Sequence, residues 1–201
     1  MLDRHALPHL QRLLDPLARV LVRLGVGANA LTLIAFLLGL SAAVLIATHA
    51  YLAGTMAIIG SRILDGLDGA VARLGQPTDA GAFLDIVLDF LFYASIPLAF
   101  AVADPSANAL AAAVLLAAFI GTGASFLAFA VLAGKRGMAS TAYPDKSFYF
   151  LGGLTEGAET LACFVAMCLW PQHFATLAFG FAALCGITTL TRIWWGWRSF
   201  Q

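Results

Sequence analysis

The chain has 201 residues and zero net charge, with 61% hydrophobic residues and only 11% charged. A soluble domain carries about a quarter charged residues, so that class is excluded. Several apolar stretches reach the ~20 residues that cross a bilayer, so a polytopic membrane protein is expected, with no nucleic-acid partner.

The first 25 residues are not a secretory signal, because Asp3, Arg4, Arg12, Asp15, Arg19 and Arg23 interrupt any apolar core. Leu10, Leu13, Leu14, Leu17, Val20, Leu21 and Leu24 recur at helical spacing, which predicts an amphipathic helix at the membrane surface. His5 and His9 lie four apart on that helix and read as surface residues rather than ligands.

Six crossings follow: Ala28 to Ala47, Leu52 to Arg73, Gly81 to Val102, Asn108 to Leu132, Phe148 to Leu169, and Phe174 to Trp194. The expected fold is all-α, one domain over 1–201, with an interfacial helix in 1–25 and a six-helix core in 28–195. No internal repeat is visible. Connections are short, except the polar stretch from Ala133 to Ser147 with Lys135, Arg136, Pro144, Asp145 and Lys146. With six crossings, the N-terminal arginines, Arg73, Lys135, Arg136, Lys146, Arg192 and Arg198 all fall on one side. The opposite loops, near His49, Asp104 and His173, carry no Lys or Arg. The positive-inside rule therefore puts both termini in the cytoplasm, as in a bacterial-type inner membrane. Trp194, Trp195 and Trp197 beside Arg198 read as an interfacial aromatic belt. Cys163, Cys168 and Cys185 lie in apolar stretches without a CxxC or Cys/His cluster, which gives no zinc site or disulfide framework.

Four aspartates interrupt the apolar pattern. Asp65 and Asp68 lie in the cytoplasmic half of the second crossing, and Asp85 and Asp89 in the first turns of the third. Carboxylates at membrane depth are costly and usually mark a site. Asp65, Asp68 and Ala72 share one helix face by three- and four-residue spacing, as do Gly81, Asp85 and Asp89. Two helices joined by a tight loop would bring the four carboxylates together, and hard oxygen ligands at that density suit Mg²⁺ or Mn²⁺, as a pair of ions. Such ions grip phosphate oxygens and stabilise attacking and leaving groups. Gly69 and Ala72 leave room beside the cluster, and Arg73 could hold a phosphate with its planar fork.

The run Asp65-Gly66-Leu67-Asp68-Gly69-Ala70-Val71-Ala72-Arg73, followed by Gly81, Asp85 and Asp89, resembles the signature of the CDP-alcohol phosphotransferases (CDP-alcohol phosphatidyltransferases). Every fixed residue of that signature is present, and the gap of seven residues between Arg73 and Gly81 is one shorter than the usual pattern. Asn29-Ala30-Leu31-Thr32 resembles the family's lead-in to the first crossing, with Ala28 where Pro is common. The resemblance implies a metal-dependent transferase of phospholipid biosynthesis. It would move a phosphatidyl or phospho-alcohol group from a CDP-linked donor, such as CDP-diacylglycerol, to an alcohol acceptor, releasing CMP. It implies that Asp65, Asp68 and Asp85 bind metal. Asp89 would bind a second metal, take the acceptor's proton, or both. Gly69, Ala72, Arg73 and Gly81 would lie against the CDP moiety. A homodimer would also be consistent with it.

The acceptor side is less determined. Lys135, Arg136, Lys146 and Arg192 form either a basic pocket for a phosphorylated alcohol or ordinary positive-inside charges. The stretch from Gly152 to Thr160 lacks the arginines that the inositol-phosphate branch brings here, which disfavours that acceptor. Glu156 and Glu159, read as lying two or more turns into the fifth crossing, would serve cation recognition, support the metal site, or partner Arg62 or Arg192. Gly152 and Gly153 suggest close helix packing. The competing class is a divalent-cation or proton-coupled transporter lined by the aspartates. Clustering of the carboxylates on one side argues against it, and their survival argues against an inactive scaffold.

Overall fold

Glycine, proline and short polar turns divide the apolar sequence into helices, since only helices satisfy the backbone of an isolated chain segment in lipid. The computed structural model describes residues 3–138 and 153–201, with side chains from Leu13 onward. The elements are α1 (Asp3–Arg23), α2 (Ala28–Ala47), α3 (Tyr51–Leu74), α4 (Asp79–Ala103), α5 (Pro105–Lys135), α6 (Gly157–Leu169), a 3₁₀ turn (Pro171–His173) and α7 (Phe174–Phe200). The described residues contain no strand. The side chains of Arg4, His5, His9 and Arg12, and all of Pro144, Asp145, Lys146, Phe148 and Gly152, lie outside the described residues.

Four segments are long and apolar enough to cross a membrane: α2, α4, α5 and the run from Pro171 to Phe200. The expected second and fifth crossings differ from these. Helix α3 has 24 residues, about 36 Å, but Arg62, Asp65, Asp68 and Arg73 dilute its apolar face. Helix α6 has only 13 residues, about 20 Å, short of a ~30 Å hydrocarbon core. Residues 153–156, expected inside that crossing, are not helical. Glu156 is extended (φ −117°, ψ −169°) and forms a capping box with Glu159, which starts the helix at Gly157.

Helix α2 packs against both α3 and α4 and sets their relative depth. Gly39 on α2 is a point of tight approach to both. A Cβ there would lie 2.5 Å from the Phe92 ring of α4 and 3.0 Å from Ser61 Oγ of α3. Ser61 in turn donates to the Ala35 carbonyl of α2 at 2.7 Å. The main core holds Phe92, Phe100, Phe164 and Phe174, all fully buried. Phe100 and Phe174 stack at 4.4 Å, linking α4 to α7. A second, smaller core joins Leu14 and Ala18 of α1 to Leu67, Ala70 and Val71 of α3, and leaves Leu13, Leu17 and Val20 exposed.

The turns follow local chemistry. Asp104 caps α5, accepting from Ser106 Oγ (2.7 Å) and the Ala107 amide (3.1 Å). Those bonds hold its carboxyl below the ordinary carboxylate range. His49, in the turn before α3, sits at φ 64° and shares a hydrogen bond with the Tyr51 hydroxyl. Between α3 and α4 the chain reverses through Gly75, Gln76, Pro77 and Thr78, and Thr78 Oγ1 caps α4 by accepting from the Gly81 amide at 3.1 Å. This tight reversal brings the start of α4 back beside the end of α3.

Candidate metal centre and adjoining cavity

Asp65 and Asp68 are one turn apart on α3, and Asp85 is in the second turn of α4. One carboxylate oxygen from each lies within 4.8 Å of the other two, as a shared cation would require. Asp68 is buried and Asp65 half-buried, whereas Asp85 is exposed. The Oδ2 of Asp68 is buried with no hydrogen-bond partner. A buried carboxylate oxygen without a donor is unfavourable in a protein alone. Three converging carboxylates with an orphaned oxygen therefore fit a divalent cation.

Asp89 stands apart from that triad in its bonding. Its Oδ1 accepts from Arg62 Nη1 at 2.5 Å, and the same nitrogen is 3.4 Å from Asp65 Oδ1. Arg62 is anchored on three further sides. Its Nη2 donates to Ser61 Oγ at 3.2 Å, its Cζ lies 4.0 Å from the Phe92 ring centroid, and 5.8 Å from that of Tyr93. The sequence offers Arg62 as a possible partner of Glu156 or Glu159, whereas the structure pairs it with Asp89 and Asp65. Its position three residues before Asp65 was the available signal, since i and i+3 share a helix face.

The expected nucleotide contacts occupy different settings. Arg73 is exposed in the last turn of α3, and a Cβ at Gly69 would meet its Nη1 at 3.4 Å. Ala72 is half-buried beside it. Gly81 is packed by protein: a Cβ there would lie 2.8 Å from Asn29 Oδ1. That contact ties the Asn29 lead-in to the start of α4.

A cavity of about 900 Å³ opens beside Asp85 and Asp89, between α4, α5, the start of α6 and α7. Phe90, Tyr93 and Phe119 give it apolar walls, and Glu156 and Arg192 join Asp85 and Asp89 in its lining. Glu156 and Glu159 therefore sit at the first turn of α6, not two turns inside it. Glu156 Oε1 accepts from the Gly153 amide at 2.9 Å, and Glu159 Oε2 accepts from the Glu156 amide at 3.2 Å. Gly153 does permit close packing, for a Cβ there would lie 2.4 Å from Thr188 Cγ2 of α7.

Among the described residues, the candidate basic residues Lys135, Arg136 and Arg192 do not gather. Arg192 lines the cavity and donates from Nη1 to the Thr122 carbonyl at 3.0 Å. Arg136 is instead bound to the carbonyls of Ser199 (3.3 Å) and Phe200 (2.7 Å), and Lys135 is exposed at the end of α5. The three cysteines are free. Trp194, Trp195 and Trp197 are exposed, and Arg198 stacks on Trp194 at 4.0 Å.

Residues 26–194 match the profile of the family described as CDP-alcohol phosphatidyltransferase. The chain is 53% identical over 201 residues to the inner membrane protein YnjF of Escherichia coli (strain K12), covering 100% of this chain and 98% of that one. Two crystal structures of the Mycobacterium tuberculosis phosphatidylinositol phosphate synthase PgsA1 share the fold. The one with CDP-DAG bound superposes with a TM-score of 0.74 at 21% identity, covering 92% of this chain and 94% of that chain. The one in complex with manganese and citrate gives 0.71 at 21% identity, covering 92% and 88%.

Proposed function

The chain belongs to the CDP-alcohol phosphatidyltransferase family, and we propose that it is an integral membrane enzyme moving a phosphatidyl-type group from a CDP-linked lipid to an alcohol. The observation that carries this reading is the carboxylate triad of Asp65, Asp68 and Asp85, with its orphaned Asp68 oxygen, next to a cavity that Asp85 and Asp89 line. CDP-DAG in the PgsA1 crystal structure supports CDP-diacylglycerol as donor, and the manganese in the second supports the choice of ion.

In this reading Asp65, Asp68 and Asp85 hold Mg²⁺ or Mn²⁺. The ion, when bound, neutralises the donor pyrophosphate and stabilises charge on the departing CMP oxygen. Arg73 grips a donor phosphate from the end of α3, with Gly69 and Ala72 leaving room for it. Gly81 holds the start of α4 against Asn29 and so fixes the height of Asp85. The acceptor enters the cavity, and its hydroxyl oxygen attacks the phosphorus that carries the diacylglycerol. The hydroxyl proton passes to Asp89, the phosphorus–oxygen bond to CMP breaks, and CMP leaves with that electron pair. A base must come within about 3 Å of the proton it takes, and Asp89 lines the cavity where the hydroxyl would lie. Arg62 supplies a fixed positive charge to Asp89, so this reading requires one ion at the triad and leaves a second to be counted by titration.

The site and both termini are proposed to lie at the cytoplasmic face, with α1 in the interface, a reading supported by the grouping of basic residues in the sequence. The transporter alternative is not favoured, since the family match gives it no support and the carboxylates gather at one end of α3 and α4.

The test is incubation of the purified protein with Mn²⁺, CDP-diacylglycerol and a panel of alcohols, with mass spectrometry of the lipid product. CMP and a matching phospholipid are expected to rise together. Absence of any Mn²⁺-dependent CDP-diacylglycerol binding would contradict the assignment. The mass of the detergent-solubilised particle would report a homodimer.

A further inference from the structure

Arg62 is a cation built into the acidic site. Its Nη1 lies 2.5 Å from Asp89 Oδ1 and 3.4 Å from Asp65 Oδ1, so one nitrogen spans carboxylates of two helices. An ion shared between these two carboxylates would need the same gap. The converging triad takes in Asp65, Asp68 and Asp85 and leaves Asp89 out. Asp89 therefore already has a cation, and that cation is part of the chain.

The guanidinium is anchored from several directions. Its side chain is 12% exposed. Its Cζ lies 4.0 Å from the ring centroid of Phe92, which is fully buried. A desolvated guanidinium over an aromatic face is held more firmly than an exposed one. Nη2 donates to Ser61 Oγ at 3.2 Å, and Ser61 donates in turn to the Ala35 carbonyl of α2 at 2.7 Å. Nε is buried and makes no hydrogen bond, so the two Nη atoms carry the polar contacts of the group.

A divalent ion and a guanidinium need different surroundings. The ion needs several oxygens around it, whereas the guanidinium needs an acceptor at its edge and a flat apolar surface beneath it. Asp65, Asp68 and Asp85 meet the first description, with the bare Asp68 Oδ2 buried among them. Asp89 Oδ1 and the Phe92 ring meet the second. A second ion between Asp65 and Asp89 would lie against the fixed positive charge of Arg62, and like charges repel strongly where water is scarce.

We propose that Arg62 stands in for a second divalent ion: the site holds one ion at the triad and one guanidinium between Asp65 and Asp89. This deepens the transferase reading and rests on it, since the triad is there taken as the ion site. Arg62 is not among the residues lining the cavity. It is a positioning residue, which acts by holding Asp89 Oδ1.

The experiment counts Mn²⁺ on the full-length protein in detergent by paramagnetic resonance of free and bound ion, with and without CDP. Wild type is expected to saturate at one ion per chain in both conditions, with no coupling between ions in the bound spectrum. Asp89→Asn is expected to keep that single ion. Arg62→Ala opens the gap between Asp65 and Asp89 and is expected to admit a second ion, read as a count of two and as Mn²⁺–Mn²⁺ coupling. Arg62→Lys, which restores the charge, should return the count to one. A purely structural role for Arg62 would cost binding or folding and would gain no ion. Two coupled ions in wild type would overturn the proposal, as would loss of the ion in Asp89→Asn, or a folded Arg62→Ala that still takes one. If Arg62→Ala does not fold, the wild-type and Asp89→Asn counts decide alone. Two ions in wild type with CDP binding intact count against this inference only, whereas absence of both Mn²⁺ and CDP binding removes the transferase reading and this inference with it.

Discussion

Arg62 of α3 and Asp89 of α4 meet at 2.5 Å across the site, and the same guanidinium nitrogen reaches Asp65 at 3.4 Å. One side chain thus connects the metal triad to the carboxylate at the cavity wall. Its side chain is 12% exposed and stacked on the fully buried Phe92, so it has little freedom to leave.

Removing that cation should destabilise the protein. Arg62→Met leaves Asp65 and Asp89 facing each other without compensation, and breaking a buried pair costs about 3–5 kcal/mol. The lower end is expected, because the Asp89 side chain is 35% exposed. A thermal melt in EDTA should show the full loss. Mn²⁺ should recover part of it by restoring positive charge beside Asp65. Equal destabilisation with and without Mn²⁺ would show that the triad and Arg62 are not electrostatically linked.

Asp68→Asn should reverse its effect with metal. In EDTA the variant should melt above wild type, since it removes a buried charge that Asp65 and Asp85 repel. In saturating Mn²⁺ the order should invert, because ligand loss weakens the site and bound metal stabilises in proportion to its affinity. Paramagnetic resonance of free Mn²⁺ should show weaker binding, and Mn²⁺-dependent CMP release should vanish. A variant that still binds Mn²⁺ like wild type would remove Asp68 from the site. EDTA should likewise stop wild-type turnover, with recovery on adding Mn²⁺.

Asp89→Asn should separate chemistry from binding. Loss of a positioned base lowers turnover by about 10²–10⁴-fold. Donor binding, assigned to the triad, Arg73 and Gly69, should stay near wild type in a direct CDP-diacylglycerol assay. Collapse of donor binding in this variant would instead mark Asp89 as part of the metal cage.

Gly39→Ala tests the junction that sets helix depth. The added methyl would overlap the buried Phe92 ring, and overpacking of this kind costs about 1–3 kcal/mol. Displacing Phe92 also shifts the platform beneath Arg62, so turnover should fall along with the melting temperature. The control is Gly180→Ala on α7, where nothing lies within 4 Å of an added Cβ and both readouts should stay unchanged.

Much of this was legible along the chain because it obeys a single helical period. The apolar runs, the one-face spacing of Asp65 with Asp68 and of Asp85 with Asp89, and the tight reversal between them depend on neighbours three or four residues away. The family signature is local in the same way. The shortness of α6 was not legible, because the run from Phe148 to Leu169 reads as one crossing while the capping box of Glu156 and Glu159 starts the helix only at Gly157. Nor were the pairing of Arg62 with Asp89, 27 residues on, and the meeting of Glu156 and Arg192 on the lining of one cavity. Charge identity is written in the sequence, but which charge cancels which depends on how α2 spaces α3 from α4 and how α6 meets α7. Coulomb energy falls with distance and rises with burial, and both quantities exist only once the helices are packed.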